Sequence, residues 1–456
     1  MKKLVLLGFI AILCSCGQSQ QEVSETATII SNVNIVDVAN GTILENQQIV
    51  IDSMIIQAIG NALPDANRYK NQIDANNGYL IPGLAEMHAH IPQPNTPKER
   101  SEEVLFLYLS NGITTIRGML GHEEHIELRE NVATGKTLGP RIFTASPSLN
   151  GNSVTTKEEA ISKVTAYEKA GFDFLKIHPG IQREVFDQVV ATANEVGIPF
   201  AGHVPVAVGI RHALKSEYAS IDHIDGFLEG LVPEDKNVDP TANGFFGYAF
   251  TPLADTTNIN ELVSLSKKHK VWIVPTQSLF ERWFAPVTAD KLLQQPEMKY
   301  MPKATLENWK AVKERYMAEE DFSETQWQRF DSIRKQLLAA LNKNGHGILL
   351  GSDAPQLFNV PGFSIHHEID GMLGAGMTPT EILKSGTLNP ATFFNMEDTF
   401  GQVKEGLVAD LVLLEANPLE DIKALKKIQA VILKGQLITK TEIDERLNKI
   451  AENASK

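Results

Sequence analysis

The chain has 456 residues, of which 43% are hydrophobic and 21% are charged, a composition that suits a large globular protein with a sizeable core. The formal net charge is -14, and lysine and arginine form no dense run beyond the extreme N-terminus. This charge pattern excludes nucleic acid as an expected partner.

The first 15 residues are predicted to be an export signal. Met1-Lys2-Lys3 precedes the apolar run Leu4 to Leu13, which is shorter than the ~20 residues that a membrane-spanning helix needs. The run ends in Leu13-Cys14-Ser15-Cys16-Gly17, which resembles a bacterial lipobox with Cys16 as the lipidated residue; an ordinary signal peptide is the alternative. We therefore expect an exported cell-envelope lipoprotein, periplasmic or anchored to the outer membrane through its N-terminal lipid, with residues 16–27 as a polar tether.

Both cysteines of the chain, Cys14 and Cys16, lie in this leader segment. The mature domain is then expected to contain no disulfide, although an exported protein could form one. Cysteine-ligated zinc and cysteine nucleophiles are excluded from the functions considered.

Short strand-like runs at both ends of the chain predict one small β-sandwich. Near the N-terminus these runs are Thr28 to Val38, Gln48 to Ile51 and Ile55 to Ile59. Near the C-terminus they are Asp410 to Leu414 and Ala430 to Leu433. Asn40-Gly41 and Asn77-Gly78 are turn signals in the N-terminal part. We expect residues 28–79 and 398–440 to form a composite β-sandwich domain.

Between these ends, over residues 80–397, strand-like runs alternate with helical segments. The predicted strands are Leu80–Met87, Ile113–Arg117, Arg141–Ala145, Phe172–His178, Ile198–His203, Ser220–Ile224, Val271–Thr276 and Gly347–Asp353. Thr155 with Glu158, and Thr378 with Glu381, predict capping boxes at two helix starts. Eight such units favour an α/β fold, a (β/α)8 TIM-like barrel whose site lies at the carboxyl ends of its strands.

The segment from about 280 to 345 is longer than a standard connection between two barrel strands. Apolar residues recur along it at helical spacing, for example Trp327, Phe330, Ile333 and Leu337. Helices packed on the barrel are the favoured interpretation, and a lid over the strand-end face is the alternative.

Histidines and one aspartate at the predicted strand ends indicate a metal centre. His88 and His90 stand at alternate positions where the first strand ends, so both side chains can project to one face and bind one ion. The fifth, sixth and eighth strands end in His203, His223 and Asp353. Imidazole and carboxylate ligands suit zinc or manganese, with structural histidines as the alternative.

Lys176 lies in the middle of a predicted barrel strand, where a lysine is almost never buried without a partner. An ammonium has no lone pair and repels cations, so a lysine facing metal ions is sensible only if it becomes an anion. Carbamylation by carbon dioxide would give a carboxylate that can bridge two ions. The alternatives are a side chain out of register or one paired with Asp173 or Glu86.

The chain resembles the amidohydrolase superfamily, in the branch of imidazolonepropionase-like proteins and metal-dependent Xaa-Pro dipeptidases. The stretches that carry the resemblance are Ile81 to His90, Gly112 to Arg117, Phe174 to Ile177, Ala201 to Val204, Ile221 to His223, Gly351 to Pro355 and Gly401 to Leu414. Two departures are Gly118, where the family commonly has Asp, and Asp222-His223-Ile224, where it often has Glu-His-Gly. Neither departure removes a ligand.

The resemblance implies a barrel, a terminal β-sandwich and a site for two divalent metal ions, with zinc expected. His88, His90 and Asp353 would hold one ion, and His203 and His223 the other, with the carbamate of Lys176 and a hydroxide between them. Coordination would lower the pKa of the bound water towards ~7. Asp353 would take the proton of the nucleophile and deliver it to the leaving nitrogen.

Four further residues are candidates for contact with the substrate. Arg117, His178 and Tyr218 lie at or near strand ends, where each could bind a substrate carboxylate, and packing is the alternative for each. His366 opens the helix after the eighth strand and could contact the substrate or support a ligand.

The sequence thus predicts hydrolysis of an amide or peptide bond in a small molecule, such as a dipeptide or an N-acyl amino acid. Alternatives are a cyclic amide hydrolase resembling imidazolonepropionase, against which Lys176 counts, and a lactone or phosphoester hydrolase. A non-catalytic, metal-binding envelope lipoprotein is the alternative from another class. The sequence leaves oligomer formation open.

Overall fold

The computed structural model describes residue 24 and residues 26–63, 68–319 and 322–456. The predicted signal peptide, Cys16 and most of the predicted tether lie outside the described residues. Within those described, no helix combines the length and the apolar character that crossing a membrane requires.

The strands and helices alternate along most of the described chain. The strands are β1 Thr28–Asp37, β2 Thr42–Asp52, β3 Ile55–Gly60, β4 Asn71–Asp74, β5 Tyr79–Pro82, β6 Leu84–Ala89, β7 Ile113–Gly118, β8 Arg141–Leu149, β9 Phe174–Ile177, β10 Phe200–Gly202, β11 Ser220–Asp222, β12 Trp272–Val274, β13 Leu411–Leu414, β14 Ile428–Leu433 and β15 Gln436–Thr439. The α-helices are α1 Lys98–Ser110, α2 Glu123–Ala133, α3 Lys157–Ala170, α4 Arg183–Val196, α5 Ile210–Lys215, α6 Phe227–Gly230, α7 Ile259–Lys268, α8 Gln277–Trp283, α9 Ala289–Leu293, α10 Lys303–Met317, α11 Glu324–Asn344, α12 Ser364–Gly374, α13 Pro379–Gly386, α14 Leu388–Phe393 and α15 Lys440–Ala454.

Both chain ends build one mostly antiparallel sheet, which confirms the predicted composite sandwich. Its strand order is β15-β14-β13-β5-β1-β2-β3, with β4 alongside β1. The ends meet where β13 pairs antiparallel with β5, and β5 in turn pairs parallel with β1. Ile30, Ile49, Leu80, Leu411 and Ile432 meet in one buried apolar cluster of this sheet.

A second sheet of parallel strands, in the order β6-β7-β8-β9-β10-β11-β12, curves into a barrel. The predicted eighth strand closes it through two parallel bridges, Ile273 with Ile348 and Ala89 with Ala354. The backbone N–H of Asp353 also donates to the carbonyl oxygen of His88 at 2.9 Å. The TIM-like barrel is confirmed, although its last strand pairs too irregularly to form a continuous ladder.

The predicted strand Leu80–Met87 is two strands. Tyr79–Pro82 belongs to the sandwich sheet and Leu84–Ala89 to the barrel, so the predicted domain border at residue 80 falls inside β5. The chain passes from one sheet to the other at Gly83. A glycine is needed there because a Cβ atom would collide with the side chain of Thr114. Both strands are buried, and a continuous apolar run carries no mark of the change of sheet.

One of the two predicted capping boxes lies at the predicted residues, and the other helix begins one residue later than predicted. Thr378 and Glu381 form the predicted capping box at α13. At α3 the cap is Thr156, whose side chain accepts from the N–H of Glu159, one residue later than predicted. Adjacent Thr and adjacent Glu residues made both registers compatible with the pattern.

The long segment after β12 packs as helices against the barrel. Residues of α11 that recur at helical spacing, Trp327, Phe330, Ile333, Leu337 and Leu341, are buried in the main apolar core. Trp309 of α10 packs against Phe358 with ring centroids 5.7 Å apart. This packing supports the interpretation of a helical layer over that of a lid.

Candidate metal centre

The predicted ligands come from different barrel strands and meet at the carboxyl ends of those strands. His88 lies in β6, and His203 and His223 directly follow β10 and β11. Asp353 lies in the segment that closes the barrel between β12 and β6. Parallel barrels place the ends of all their strands on one face, and that face is where such folds bind ligands.

His88, His90 and Asp353 form a compact group that could hold one metal ion, since their ligand atoms lie within 4.8 Å of one another. Oδ1 of Asp353 lies 2.6 Å from Nε2 of His90 and 3.5 Å from Nε2 of His88. Two imidazole nitrogens and a carboxylate are a common donor set for zinc and related ions.

His203 and His223 continue this group. The ring of His223 lies 4.6 Å from that of His88 and 4.6 Å from that of His203, measured between centroids. Nδ1 of His223 is 3.9 Å from Oδ2 of Asp353. The four predicted histidine ligands and Asp353 therefore form one connected cluster, as the strand ends predicted.

A polar atom of the protein lies close to Nδ1 in three of these histidines, and the geometry is that of a hydrogen bond for His203 and His223. Nδ1 of His88 lies 3.0 Å from Oδ2 of Asp222, and Nδ1 of His203 lies 3.1 Å from Oδ2 of Asp225. Nδ1 of His223 lies 2.8 Å from Oγ1 of Thr276. The hydrogen bonds of His203 and His223 fix the tautomer and the orientation of these two rings, and they leave Nε2 as the nitrogen that can bind a metal.

Several residues of the cluster adopt a backbone conformation that L-amino acids rarely take. The φ angles are +67° at His223, +64° at Asp353 and +46° at Thr276. Left-handed backbone at a non-glycine residue costs about 1–3 kcal/mol and persists only where the surroundings enforce it. Three residues in this conformation therefore lie together at this end of the barrel.

Lys176 fits the predicted carbamate. Its side chain is 0% exposed, and its Nζ atom has no hydrogen-bond partner among the described residues. Burial lowers its pKa, while Asp222 and Asp353 oppose that change. Neither predicted alternative partner holds it, because Asp173 pairs with Arg129 and Glu86 with Ser352. A buried, unpaired amine with a lowered pKa is suited to combine with carbon dioxide.

Glu86, which sequence reasoning did not place in the site, joins the first and last strands of the barrel. Its carboxylate accepts from the N–H and the Oγ of Ser352, each at 2.7 Å, and from the N–H of His88 at 3.2 Å. Burial raises the pKa of Glu86 to about 8. The available signal was an acidic residue within an otherwise apolar buried strand.

Arg117 faces the barrel interior rather than a substrate. Its guanidinium donates to the carbonyl of Met87 at 2.7 Å, to Oγ of Ser220 at 2.9 Å and to Oδ1 of Asp222 at 3.0 Å. The other carboxylate oxygen of Asp222 lies against His88. These contacts disfavour the predicted contact with a substrate carboxylate and make Arg117 a support for Asp222.

Tyr218 and His366 also bind protein atoms instead of facing the site. The hydroxyl of Tyr218 donates to the carbonyl of His203 at 3.0 Å, and its ring packs between those of Phe186 and Phe200. Nε2 of His366 lies 3.1 Å from Oδ1 of Asn111. Their predicted contacts with substrate are therefore not supported, because both polar groups are buried and already bonded to protein atoms.

His178 keeps its ring beside the cluster, 4.9 Å from that of His203. Its Nδ1 lies 2.5 Å from Oγ of Ser148. Burial, with a smaller contribution from Lys176, lowers the pKa of His178 to about 2, so the ring is neutral. Of the four predicted substrate residues, His178 retains a position from which a polar ligand group could be contacted.

Two residues near the cluster were missed by sequence reasoning. The ring of Phe246 lies 5.3 Å from that of His223 and 5.7 Å from that of His203. Arg334, on α11, donates to the carbonyl of His223. Both contacts join segments that are distant in the sequence and carry no motif.

Comparison with known families and proteins agrees with this geometry. The model of the amidohydrolase family matches residues 79–438. Ochratoxinase from Aspergillus niger is 23% identical over 428 residues, which cover 86% of this chain and 82% of that enzyme. Adenine deaminase 2 from Desulfotalea psychrophila is 25% identical over 213 residues, which cover 44% of this chain and 35% of that enzyme.

Several solved structures share the whole fold. Bottromycin amidohydrolase superposes with a TM-score of 0.71 at 19% identity, covering 95% of this chain and 92% of that one. A Xaa-Pro dipeptidase with bound methionine gives 0.65 at 21% identity and coverages of 91% and 100%. Ochratoxinase of A. niger gives 0.62 at 19% identity and coverages of 91% and 96%. Since the family model spans the entire barrel, the chain belongs to the amidohydrolase family and is a metal-dependent hydrolase of carbon–nitrogen bonds.

Proposed function

We propose that the protein hydrolyses an amide or peptide bond in a small substrate, such as a dipeptide or an N-acyl amino acid, using two divalent metal ions. The observation that carries the proposal is the buried Nζ of Lys176, for which the described part of the chain offers no hydrogen-bond partner. Burial lowers the pKa of His88, His203 and His223, and the charge of Lys176 contributes to each of these shifts, so Lys176 lies within electrostatic reach of both sets of ligands.

The residues divide into roles by their positions. His88, His90 and Asp353 would hold one ion, His203 and His223 the other, and a carbamate on Lys176 would join the two sets. Zinc is the expected metal. Bound divalent ions would lower the pKa of coordinated water and polarise the scissile carbonyl.

Asp353 is the proposed catalytic residue. Its side chain is 8% exposed, and Oδ1 lies 3.5 Å from Nε2 of His88 and 2.6 Å from Nε2 of His90. From this position it can accept the proton of the attacking water and pass it to the leaving nitrogen. Asp222, Asp225 and Thr276 would hold the histidine rings in place during this transfer.

The relatives support an amide substrate over a ring deamination. The match to ochratoxinase covers 86% of the chain, whereas the match to adenine deaminase 2 covers 44%. A dipeptidase of the Xaa-Pro type is among the proteins that share the fold. Small molecules with an amide bond are thus the first substrates to test.

We also propose that the protein is exported and anchored by a lipid on Cys16. The support is the basic start, the short apolar run and the lipobox-like sequence around Cys16. Metabolic labelling with a fatty acid should mark the wild type and not Cys16→Ser. Equal labelling of both proteins would contradict the anchor.

The test of the activity combines metal analysis with a panel of dipeptides and N-acyl amino acids. Wild type should carry two ions per chain and hydrolyse members of the panel. Asp353→Asn should keep metal and lose nearly all turnover, and full activity of that variant would refute the mechanism. A protein that holds metal tightly and hydrolyses no member of the panel would instead favour a binding role.

The carbamate has its own readout, because 13C-bicarbonate should give a carbamate NMR signal that Lys176→Ala lacks. Lys176→Ala should also fail to hold two ions. Lys313 provides the matched control, since it is equally buried but donates to the carbonyls of Trp283 and Ala285 at 2.7 Å and 2.6 Å. Lys313→Gln should retain both the signal and the metal.

A further inference from the structure

We propose that three aromatic residues beside the metal centre, Phe245, Phe246 and Trp283, form a shelf that binds an aromatic or large apolar group of the substrate. The inference rests on the proposed function and adds to it the class of substrate. The shelf flanks His203 and His223, the two histidines proposed to hold the second ion.

Phe246 connects the shelf to the centre. Its half-buried ring lies 5.3 Å from that of His223 and 5.7 Å from that of His203. Its backbone adopts the left-handed conformation, with φ +53°, and Gly247 follows with φ +75°. A molecule bound to the Nε2 atoms of these histidines would therefore lie next to the Phe246 ring.

Phe245 and Trp283 extend the aromatic surface away from the histidines. Phe245 is 53% exposed, although it is large and apolar. Its ring centroid lies 4.8 Å from that of Phe246 and 4.6 Å from that of the half-buried Trp283. A single exposed phenylalanine needs no explanation, but contiguous rings beside a polar cluster are the usual lining of a ligand site.

Buried residues hold the shelf in place from behind. The ring of Phe246 meets that of Phe280 edge to face at 4.9 Å. Trp283 stacks on the buried Phe284 at 5.6 Å. The guanidinium of Arg334 lies 3.6 Å from the centroid of the Phe280 ring. A surface held this firmly loses little conformational entropy when it binds a ligand.

The chemistry of the surrounding residues favours a neutral group over a carboxylate. Of the residues considered as carboxylate binders, Arg117 is committed to Asp222 and Tyr218 to the carbonyl of His203. The shelf offers ring faces and edges, which bind other aromatic groups in stacked or edge-to-face arrangements. An aromatic substituent on the amide substrate satisfies both conditions.

Two metal-chelating probes that differ by a phenyl ring test the shelf without turnover. Phenylacetohydroxamate and acetohydroxamate carry the same chelating group, so the ratio of their Kd values reports the contribution of the ring. Calorimetric titration of the metal-loaded wild type should show the phenyl probe binding about tenfold more tightly. The ratio should fall below about threefold in Phe246→Ala and in Phe245→Ala. Phe246→Tyr keeps an aromatic ring and should show the wild-type ratio.

The control is Ile161→Ala, which removes an apolar side chain that is 46% exposed on α3, and it should keep the wild-type ratio. Equal affinity of both probes for metal-loaded wild type would overturn the shelf and leave the metal centre standing. If the protein takes up no divalent metal and therefore binds neither probe, the metal centre and the shelf are both refuted. Phe245→Ala carries the test if Phe246→Ala does not fold, because Phe245 is half exposed.

Discussion

Nη1 of Arg334 donates a hydrogen bond of 2.7 Å to the backbone carbonyl oxygen of His223. The same guanidinium donates to the carbonyl of Pro275 at 2.8 Å and to Oε1 of Gln277 at 3.0 Å. Arg334 lies on α11, in the long segment after β12, so this segment supports the metal centre from behind. The bond fixes the residue whose φ is +67° and whose ring is a proposed ligand.

Arg334→Gln should therefore weaken one of two metal sites. The carbonyl groups of His223 and Pro275 would lose their donors, and the strained backbone of His223 would relax. We expect a 10–100-fold loss of affinity for one ion, since supports of metal ligands have effects of this size. Metal titration measures the loss, and kcat should fall more than KM rises.

Arg329→Gln is the matched control for Arg334. Arg329 lies on the same helix and donates to the carbonyls of Thr251 and Ala254 at 2.9 Å and 3.0 Å, and neither acceptor belongs to a proposed ligand. It should lower stability while leaving both metal affinities unchanged. Equal metal affinities in the two variants would refute the positioning role of Arg334.

Gly202→Ala should displace Lys176. Gly202 has φ +125°, and a Cβ atom there would collide with the carbonyl oxygen of Ile177 and lie 3.2 Å from Cδ of Lys176. We expect a loss of about 1–3 kcal/mol in the free energy of unfolding. The 13C carbamate signal should also weaken, because the side chain must move.

Gly197→Ala controls for backbone strain alone. Gly197 has φ +82°, and no atom lies within 4 Å of its added Cβ. This variant should lose about 1 kcal/mol and keep the full carbamate signal. A weaker signal in both variants would show that the effect does not come from contact with Lys176.

Glu368 should make the protein less stable as the pH rises through the weakly acidic range. Its buried carboxylate accepts from the N–H groups of Gln277 and Ser278 at 2.9 Å and 2.8 Å, and burial raises its pKa from 4.5 to about 7. The folded state then binds the proton more tightly than the unfolded state. The contribution to stability is complete below about pH 4.5 and is lost as the pH approaches about 7, a change on the order of 3 kcal/mol.

Urea unfolding of wild type and Glu368→Gln across this range checks the prediction. Glutamine cannot titrate, so the variant should gain stability relative to wild type as the pH rises. Both proteins carry the same proposed metal ligands, and the difference between them therefore isolates Glu368. Parallel stability curves would contradict a raised pKa at this position.

Removal of metal should lower the melting temperature. A ligand that binds only the folded state adds about 2.7 kcal/mol when its concentration is 100 times its Kd. A chelator should therefore destabilise wild type, and added zinc should restore it. His366→Asn removes a buried histidine outside the cluster and should keep this response, whereas His88→Ala should lose most of it; equal responses would argue against the proposed ligands.

The sequence predicted the parts of the site that depend on local periodicity. His88 and His90 were assigned to one face because alternate strand residues share a face, and His203, His223 and Asp353 because strands of one barrel end together. The same rules cannot decide whether a strand side chain lies inside the barrel or at its open end. Arg117 was therefore predicted to bind substrate, although its partner Asp222 lies inside the barrel.

Contacts between distant segments were beyond the reach of the sequence. Arg334 lies in a long helical segment and donates to the carbonyl of His223. The periodicity of this segment predicts a helix, but it does not predict which atom a buried arginine will contact. Phe246 reaches the histidines from the 3-10 helix Phe245–Leu253, whose kink at Phe246 and Gly247 no sequence pattern predicts. The break at Gly83 was missed because both sheets bury their strands at that point.

The hydrogen bonds between Glu86 and Ser352 join residues 266 positions apart. They tie the first barrel strand to the last, and the same two strands carry His88 and Asp353. The first metal site therefore cannot exist until almost the whole chain has been synthesised and the barrel has closed, and such long-range contacts form late in folding. A metal ion bound there would link the first and last strands of the barrel, and metal uptake would report the completion of folding.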